Sequence, residues 1–290
     1  MTNRMTKKQH TDISFAFFGT SHIAVYVLEA LTAAGFFPEL IVTVPPKPKG
    51  RGLAVQPSAV EEWASTHGLA VAHDWTAFEA RKWDVAIVVD YGLILPKKML
   101  DIPARGFLNI HPSLLPRFRG ASPIRSAILN DEKTTGVTIM LVTEGMDEGP
   151  VVAQKKVTPT VWPLGNAALE RVLLQEGGAL MAAVLPPWVA GEIEAQPQNH
   201  DLATYAEKIS KEDGRLDMSG DAYKNLLKVR AFEGWPGTYA LFERGGKDVR
   251  VQILDARVDG STFVPTKVKP EGKREMSYEE FLRSGAKPAG

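Results

Sequence analysis

The 290-residue chain contains no cysteine. This absence excludes disulfide bonds, thiolate zinc sites and a cysteine nucleophile, and it is typical of proteins in a reducing cytoplasm, where we expect this one to act. Charge of one sign is not in excess either, because 34 basic and 34 acidic residues cancel. Without a global field, any contact with nucleic acid must come from a local basic patch.

Long hydrophobic runs are also missing. No apolar stretch approaches the roughly 18 residues that a membrane span needs. The polar N-terminus lacks the apolar centre of a secretion signal. We therefore expect no membrane partner, and a short flexible tail over residues 1–11.

Three common catalytic signatures are absent as well. The segment GTSHIA, which begins at Gly19, lacks the second and third glycines of a dinucleotide fingerprint. The six histidines form no i, i+4 pair and no ligand motif, which argues against a metal. No G-x-S-x-G elbow surrounds Ser113, which argues against a serine nucleophile.

What the chain does contain is an alternation of short apolar runs and helical patterns. Apolar periodicity predicts a helix over Ile23–Ala34, and the continuous apolar runs predict buried strands over Ile13–Phe18, Leu40–Val44, Asp84–Val89 and Phe107–Ile110. Strands that alternate with helices predict an α/β fold, here a Rossmann-like domain with a mostly parallel sheet.

The second half of the chain changes character. A long apolar-faced helix is predicted over Ala167–Ala183, stopped by Pro186 and Pro187. The polar segment 191–202 is predicted to be a linker. Short helices over Ala203–Lys211 and Asp221–Phe232, followed by strands with glycine-containing turns, predict a small mixed domain. We therefore expect a catalytic domain over 12–190 and a second domain over 203–290.

The most informative segments are FLNIHPSLLPRFRGASP, residues 107–123, and the later GMDEGP. They offer an amide at Asn109, an imidazole at His111 and a carboxylate at Asp147. Such groups can hold an oxyanion, move a proton near neutral pH and orient the imidazole. A lone N-x-H pattern is weak, because most histidines at strand ends are structural. However, irregular loops at the carboxyl ends of strands are where open α/β sheets bind ligands.

Three other segments have both a structural and a functional interpretation. The loop after the third strand, Asp90–Pro96, is either core packing or the wall of a pocket for a flat heteroaromatic ring. Pro45–Leu53, PPKPKGRGL, is either a solvated loop or a phosphate contact, and we favour the contact. A basic cluster near the C-terminus, taken alone, would be a solvated face; it comprises Lys267, Lys269, Lys273 and Arg274.

Taken together, the segments FAFFGT, VVDYGLILP, NIHPSLLPRFRGASPIRSAI, TGVTIML and MDEGP resemble the 10-formyltetrahydrofolate-dependent formyltransferases. Within that family, ATYAEKISKEDGRLD at 203–217 and RAFEGWPGTY at 230–239 resemble the carboxyl domain of the methionyl-tRNA formyltransferases. GRGL at 50–53 resembles their tRNA-facing loop. The resemblance covers residues 12–260 and its motifs are specific.

The resemblance implies a fold and a set of site residues. The fold is a Rossmann-like formyltransferase domain followed by a small OB-like β-barrel, which we expect to be shortened in this chain. The catalytic residues would be Asn109, His111 and Asp147. The folate-binding residues would be Ser113, Leu114, Leu115, Pro116, Tyr91, Gly92, Leu93, Ile94 and Leu95. Arg51 would reach the tRNA, and since the chain has no net charge, we expect further tRNA contacts from Lys47, Lys49, Lys267, Lys269, Lys273 and Arg274.

The resemblance also implies a reaction. A monomer would transfer the formyl group of 10-formyltetrahydrofolate directly to the α-amine of charged initiator tRNA, through a tetrahedral intermediate and without a metal, for translation initiation. Two alternatives stay open: a sugar-amine N-formyltransferase that acts on a nucleotide-linked amino sugar, and a binding module that has lost catalysis. RAFEGWPGTY argues against the first, and the intact catalytic trio argues against the second.

Overall fold

A computed structural model describes residues 13–49 and 54–288. These residues form two compact units. The first contains the described residues up to Arg119 together with Gly136–Val157 and Glu170–Thr204. The second contains Gly120–Thr135, Thr158–Leu169 and the described residues from Tyr205 onward. The predicted tail over 1–11 lies outside the described residues.

The helices and strands follow the predicted alternation. In chain order they are β1 (Phe15–Gly19), α1 (His22–Ala33), β2 (Leu40–Val42), β3 (Lys47–Lys49), β4 (Ala54–Gln56), α2 (Ala59–Thr66), β5 (Val71–Ala72), α3 (Thr76–Glu79), β6 (Val85–Val89), α4 (Lys97–Leu100), β7 (Phe107–His111), β8 (Arg119–Gly120), α5 (Pro123–Leu129), β9 (Thr135–Leu141), β10 (Val151–Val157), α6 (Asn166–Val189), β11 (Tyr205–Ala206), α7 (Ala222–Ala231), β12 (Thr238–Arg244), β13 (Lys247–Asp259), β14 (Thr262–Pro270), β15 (Met276–Ser277), α8 (Tyr278–Leu282) and β16 (Lys287–Pro288).

The first unit is built on a seven-stranded sheet with the order β10-β9-β7-β6-β1-β2-β5. Strands β2, β1, β6 and β7 pair in parallel, whereas β9 pairs antiparallel to β7. All five residues of β1 are buried, as expected for a central parallel strand that is covered on both faces. The predicted α/β fold with a mostly parallel sheet is confirmed.

The first strand–helix turn depends on glycine. A Cβ at Gly19 would lie 2.7 Å from the Phe17 ring and 2.8 Å from the Ala24 side chain, so the turn has room only for hydrogen. Ser21 then caps α1, because its side chain accepts a hydrogen bond from the backbone N–H of Ile23. This close fit packs α1 directly against the sheet.

An aromatic cluster fixes the loop that follows β6. The Phe18 ring makes edge-to-face contacts with Phe78, Tyr91 and Phe107 at centroid distances of 4.9, 5.3 and 5.1 Å. The Trp75 indole N–H also donates to the Tyr91 hydroxyl at 3.0 Å. Because Tyr91 is only 3% exposed, it anchors the start of the Asp90–Pro96 loop on the core.

The helix α6 is longer than predicted. The sequence predicts an end before Pro186, but the helix continues to Val189 with both prolines inside it. The two prolines lack N–H groups, yet their carbonyls still accept hydrogen bonds from Ala190 and Glu192 at 3.0 and 2.9 Å. By length and composition α6 could cross a membrane, but half of its most apolar window is buried inside the protein.

The second unit contains a five-stranded antiparallel sheet with the order β15-β14-β13-β12-β16. Its core includes Phe242 and Phe281, whose rings meet edge to face at 5.2 Å. Both edge strands have only two residues, which leaves little free edge for unwanted pairing. The predicted small β domain at the C-terminal end is confirmed.

The predicted helix over Ala203–Lys211 is wrong. The segment contains the two-residue strand β11, and single 3-10 turns lie before and after it at His200–Leu202 and Glu212–Gly214. Its backbone groups bond to another segment instead of to each other. For example, the Ala206 carbonyl accepts from the N–H of Ala121 at 3.2 Å. Such distant pairing is invisible to helical periodicity.

Candidate active site

The end of β7 and the turn between β9 and β10 bring three polar side chains together. His111 is the last residue of β7, and Asn109 lies two positions earlier, on the same face of the strand. The Asp147 carboxylate oxygen Oδ2 lies 3.7 Å from Nδ1 of His111. The structure therefore places His111 and Asp147 side by side, as the sequence predicts.

The geometry of the GMDEGP turn suits the residues that form it. Asp147 has a φ of 53°, in the left-handed region that aspartate and asparagine tolerate better than most residues. A side chain at Gly149 would collide with the carbonyl oxygen of Leu141. The turn thus requires glycine at position 149 and favours Asp or Asn at position 147.

The His111 ring is almost fully buried, with 4% of the residue exposed. Its Nε2 lies 2.8 Å from the carbonyl oxygen of Phe118, so Nε2–H donates and carries the proton of the neutral ring. Nδ1 then presents its lone pair to the Asp147 carboxylate. Burial lowers the pKa of His111 below its ordinary value of 6.5, and the Asp147 charge opposes this only in part. Burial thus favours the neutral form of the His111 ring.

This lowered pKa has a consequence for stability. Because the unfolded chain takes up a proton at a higher pH than the folded chain does, the free energy of unfolding should fall as the pH drops below 6.5. The slope for one proton is at most about 1.4 kcal/mol per pH unit. Urea unfolding at several pH values should show this loss in the wild type and a smaller one in His111→Gln. Equal losses would mean that other groups carry the pH dependence.

A cavity of about 480 Å³ opens beside these residues. Asn109 and Asp147 form part of its wall, as do the predicted pocket residues Leu93, Ile94 and Leu95. The remaining lining was not predicted from the sequence and comprises Val88, Pro96, Lys97, Met140, Val142, Thr143, Glu144, Gly145 and Met146.

The rim of this cavity is unusually apolar for an exposed surface. Ile94 is 93% exposed, Met146 71% and Leu93 50%. Exposed apolar side chains around a cavity mark a ligand site. A mainly apolar pocket with a few polar groups at one end is typical of sites for flat ring systems.

Two other predicted loop residues lie elsewhere. Tyr91 and Gly92 line a second cavity of about 290 Å³, together with Ser21 and Ser58 at the starts of α1 and α2. The loop after β6 therefore divides between two cavities. Its first residues face the second cavity, and Leu93–Leu95 face the first.

The SLLP residues are tied to the protein and are not part of the lining of the larger cavity. Ser113 is buried, and its hydroxyl donates to the Arg117 carbonyl at 2.6 Å. The Thr138 hydroxyl donates to the Ser113 carbonyl at 2.7 Å and accepts from the Leu115 N–H at 3.1 Å. Leu114 and Pro116 are half-buried beside them. Contact of SLLP with folate stays a prediction.

Sequence reasoning missed two residues next to the site. Arg119, which follows the SLLP residues, is fully buried. Gln198, in the polar segment 191–202, is 7% exposed and donates to the carbonyls of Asp147 and Gly149, both at 2.8 Å. A glutamine that bonds to distant backbone leaves no mark in periodicity or in motifs.

The residues predicted to bind tRNA have different environments. Arg51 and the side chains of Lys47 and Lys49 lie outside the described part of the structure. In the second unit, Lys273 and Arg274 are exposed, and Lys267 pairs with Glu275 at 2.5 Å. The remaining residue, Lys269, lines a cavity of about 460 Å³, called here the basic groove, whose characteristic side chains are Lys211, Trp235, Arg250 and Lys269.

Within the described residues no group of three His, Asp or Glu side chains is arranged as metal ligands. A metal-independent reaction stays a prediction.

Comparison with known families gives consistent matches. Residues 13–184 match the family described as formyl transferase, and residues 208–264 match the formyl transferase C-terminal domain. The methionyl-tRNA formyltransferase of Rhizorhabdus wittichii is 39% identical, over 95% of this chain and 96% of its own length. That of Chloroflexus aurantiacus is 40% identical, over 88% of this chain and 84% of its own.

Solved structures with low identity share the fold. An N-formyltransferase from Helicobacter canadensis, in complex with folinic acid and dTDP-3-aminofucose, matches with a TM-score of 0.65 at 17% identity, over 85% of this chain and 88% of that one. The methionyl-tRNA formyltransferase from Clostridium thermocellum matches with a TM-score of 0.58 at 12% identity, over 91% and 99%. Given the matched domains and the relatives of about 40% identity, the chain belongs to the methionyl-tRNA formyltransferase family.

Proposed function

We propose that this enzyme transfers the formyl group of 10-formyltetrahydrofolate to the α-amine of methionyl-tRNA. The observation that carries the proposal is an apolar cavity lined by Asn109 and Asp147, with the buried His111 ring 3.7 Å behind the Asp147 carboxylate. Relatives that are about 40% identical over most of the chain are methionyl-tRNA formyltransferases, which supports this choice of acceptor.

The larger cavity suits the ring system of the folate. Leu93, Ile94 and Leu95 would cover the faces of the pterin. Met140, in β9, and Val142, directly after it, would form the opposite part of the pocket wall. With the pterin held there, the N10-formyl group would lie beside Asn109 and Asp147. The formyl group and the attacking amine would then meet within one ternary complex, so positioning would supply much of the acceleration.

The chemistry at the formyl carbon needs an oxyanion donor and a base. When the amine attacks, the formyl oxygen becomes an oxyanion, and the Asn109 amide would donate to it. The attacking amine must lose a proton, and Nδ1 of His111 would accept it, because Nε2–H already donates to the carbonyl of Phe118. The resulting imidazolium lies beside the Asp147 carboxylate, which stabilises it. As the intermediate collapses and the bond between the formyl carbon and N10 breaks, a water held by Asp147 would relay this proton from the imidazolium to the leaving N10, which restores the neutral imidazole.

The basic groove of the second unit offers contacts for the tRNA. Trp235, from the RAFEGWPGTY segment, is 49% exposed. Lys211, Arg250 and Lys269 are exposed and line the same cavity, together with one acidic residue, Glu271. A half-exposed aromatic ring among cations is the combination that stacks a base and binds the adjoining phosphates. We place Arg51 and its loop among the tRNA contacts as well, together with Lys273 and Arg274.

One assay tests the function. The purified protein is incubated with 10-formyltetrahydrofolate and either charged initiator tRNA, charged elongator tRNA or a panel of nucleotide-linked amino sugars. We expect formylmethionyl-tRNA from the first. Formylation of the sugars alone would replace the proposal by the sugar-amine alternative, and no transfer to any acceptor would leave only a folate-binding module.

The basic groove leads to a separate prediction. Lys269→Ala should weaken tRNA binding and reduce the slope of log K against log salt by about 0.7 to 0.9, the value for one lost phosphate contact. Trp235→Ala should weaken binding by about 1 to 3 kcal/mol through lost stacking, with the slope unchanged. A salt titration of tRNA binding measures both. The matched control is Lys287→Ala, an exposed lysine on the edge strand β16. If Lys269→Ala and the control behave alike, the groove is not a tRNA site.

A further inference from the structure

A buried cation lies close to the turn that carries Asp147. Arg119 is fully buried, and its Nε and Nη2 both donate to Oε1 of Gln198, at 3.0 and 2.7 Å. Its Nη1 lies 3.3 Å from Nδ1 of His200 and 3.6 Å from the Glu148 carboxylate. Burying a guanidinium is expensive unless its donors are satisfied, and here a neutral amide oxygen takes two of them.

This arrangement locks the orientation of the Gln198 amide. Arg119 is a donor only, so it can face the amide oxygen and not the amide nitrogen. The nitrogen must therefore point the other way, where Nε2 donates to the carbonyls of Asp147 and Gly149, both at 2.8 Å. A flipped Gln198 amide would place its N–H groups against the N–H groups of Arg119. It would also place its oxygen against the carbonyl oxygens of Asp147 and Gly149.

The same stretch of chain also holds the other partner of His111. Thr204 accepts the N–H of Phe118 on its hydroxyl at 2.8 Å and the N–H of Arg119 on its carbonyl at 2.9 Å. This fixes the Phe118 carbonyl that receives Nε2–H of His111. Residues 198–204 thus anchor the groups on both sides of the imidazole.

We propose that Arg119 and Gln198 are positioning residues for Asp147. Arg119 orients the Gln198 amide, and the amide holds the backbone of Asp147 so that its carboxylate stays beside His111. Because the Gln198 amide holds the carbonyls of Asp147 and Gly149, a displaced amide would shift this turn and move the Asp147 carboxylate relative to Nδ1 of His111, which lies 3.7 Å away. The inference rests on the proposed function in so far as Asp147 serves formyl transfer.

The decisive variant is Gln198→Glu. It keeps an acceptor for Arg119, removes both amide donors and sets a carboxylate oxygen against two carbonyls. We expect kcat for formyl transfer to fall on the order of a hundredfold, as for a misplaced catalytic group, with KM for both substrates unchanged. Gln196→Glu is the matched control and should behave as wild type, because Gln196 is exposed and its amide bonds only to the carbonyl of Glu194, at 3.4 Å.

A double-mutant cycle separates positioning from a general structural role. Because Gln198 acts through Asp147, Gln198→Glu should add little to the loss caused by Asp147→Asn. If the two losses multiply, Gln198 acts independently of Asp147 and the proposal is wrong.

Should Gln198→Glu not fold, the double variant Arg119→Met, Gln198→Met removes both buried polar partners together, which cores tolerate better than the removal of one. The same loss of kcat is expected, and wild-type kcat would overturn the proposal.

A measurement without substrates keeps this proposal apart from the proposed function. The ring ¹⁵N resonances of His111, assigned by their absence in His111→Gln, should shift in Gln198→Glu in the same direction as in Asp147→Asn. If those shifts appear in a protein that formylates no tRNA, the positioning stands and the function fails. Unmoved His111 resonances in an active Gln198→Glu enzyme would overturn the positioning alone.

Discussion

Asn109→Ala should lower the turnover of formyl transfer by roughly 10²- to 10³-fold, the usual loss when one oxyanion donor is removed. The Asn109 side chain lies in the wall of the larger cavity, where the formyl oxygen would develop its charge. The donor matters only in the transition state, so KM for 10-formyltetrahydrofolate should change little. Steady-state kinetics with each substrate varied in turn would show the split between kcat and KM.

Asn109→Asp is the matched variant for this prediction. It keeps the shape of the side chain, replaces the donor by an acceptor and sets a negative charge against the oxyanion. Its turnover should be at or below that of Asn109→Ala. A folded Asn109→Asp enzyme with wild-type turnover would remove Asn109 from the mechanism.

Asp147→Asn should cause a comparably large loss of turnover with nearly unchanged affinity for folate. Asparagine tolerates the left-handed backbone of this position, where φ is 53°, so the shape of the turn should survive. What is lost is the charge beside Nδ1 of His111, which in the proposed mechanism would stabilise the imidazolium formed when the amine gives up its proton. Measuring turnover and equilibrium folate binding on the same preparation tests both the expected loss of turnover and the expected retention of folate affinity.

The neighbouring residue provides the control. Glu148 lies in the same turn, its side chain is 42% exposed and its carboxylate is 3.6 Å from Arg119, so Glu148→Gln removes a nearby charge that does not face His111. We expect its turnover to stay within a few-fold of wild type, because the Arg119 guanidinium keeps both of its hydrogen bonds to Gln198. If Asp147→Asn retains full activity, its carboxylate is only a turn residue.

The sequence predicts the parts of this protein that depend on local patterns. The strands of the parallel sheet follow from continuous apolar runs, and His111 and Asp147 follow from motifs at strand ends. What it misses depends on partners that are distant in the chain. No local pattern shows that Arg119 is buried or that it donates to Gln198, 79 positions later.

The larger cavity illustrates the same limit. Leu93–Leu95 were predicted from one loop, but Met140 and Val142 enter the lining because β9 pairs with β7. Residues 203–211 look helical by periodicity, yet their backbone bonds to a distant segment. The prediction also ended α6 too early, before Pro186. A proline lacks the N–H donor, but its carbonyl can still accept a helical hydrogen bond, so the helix continues.

The apolar rim of the larger cavity has a thermodynamic consequence. In the free protein Ile94 and Met146 are mostly exposed to water. A ligand that covers them removes this apolar surface from solvent, so folate binding should carry a negative change in heat capacity. Its enthalpy then becomes more favourable on warming while its affinity changes less. The same exposed rim makes the unliganded enzyme the form that is more prone to self-association.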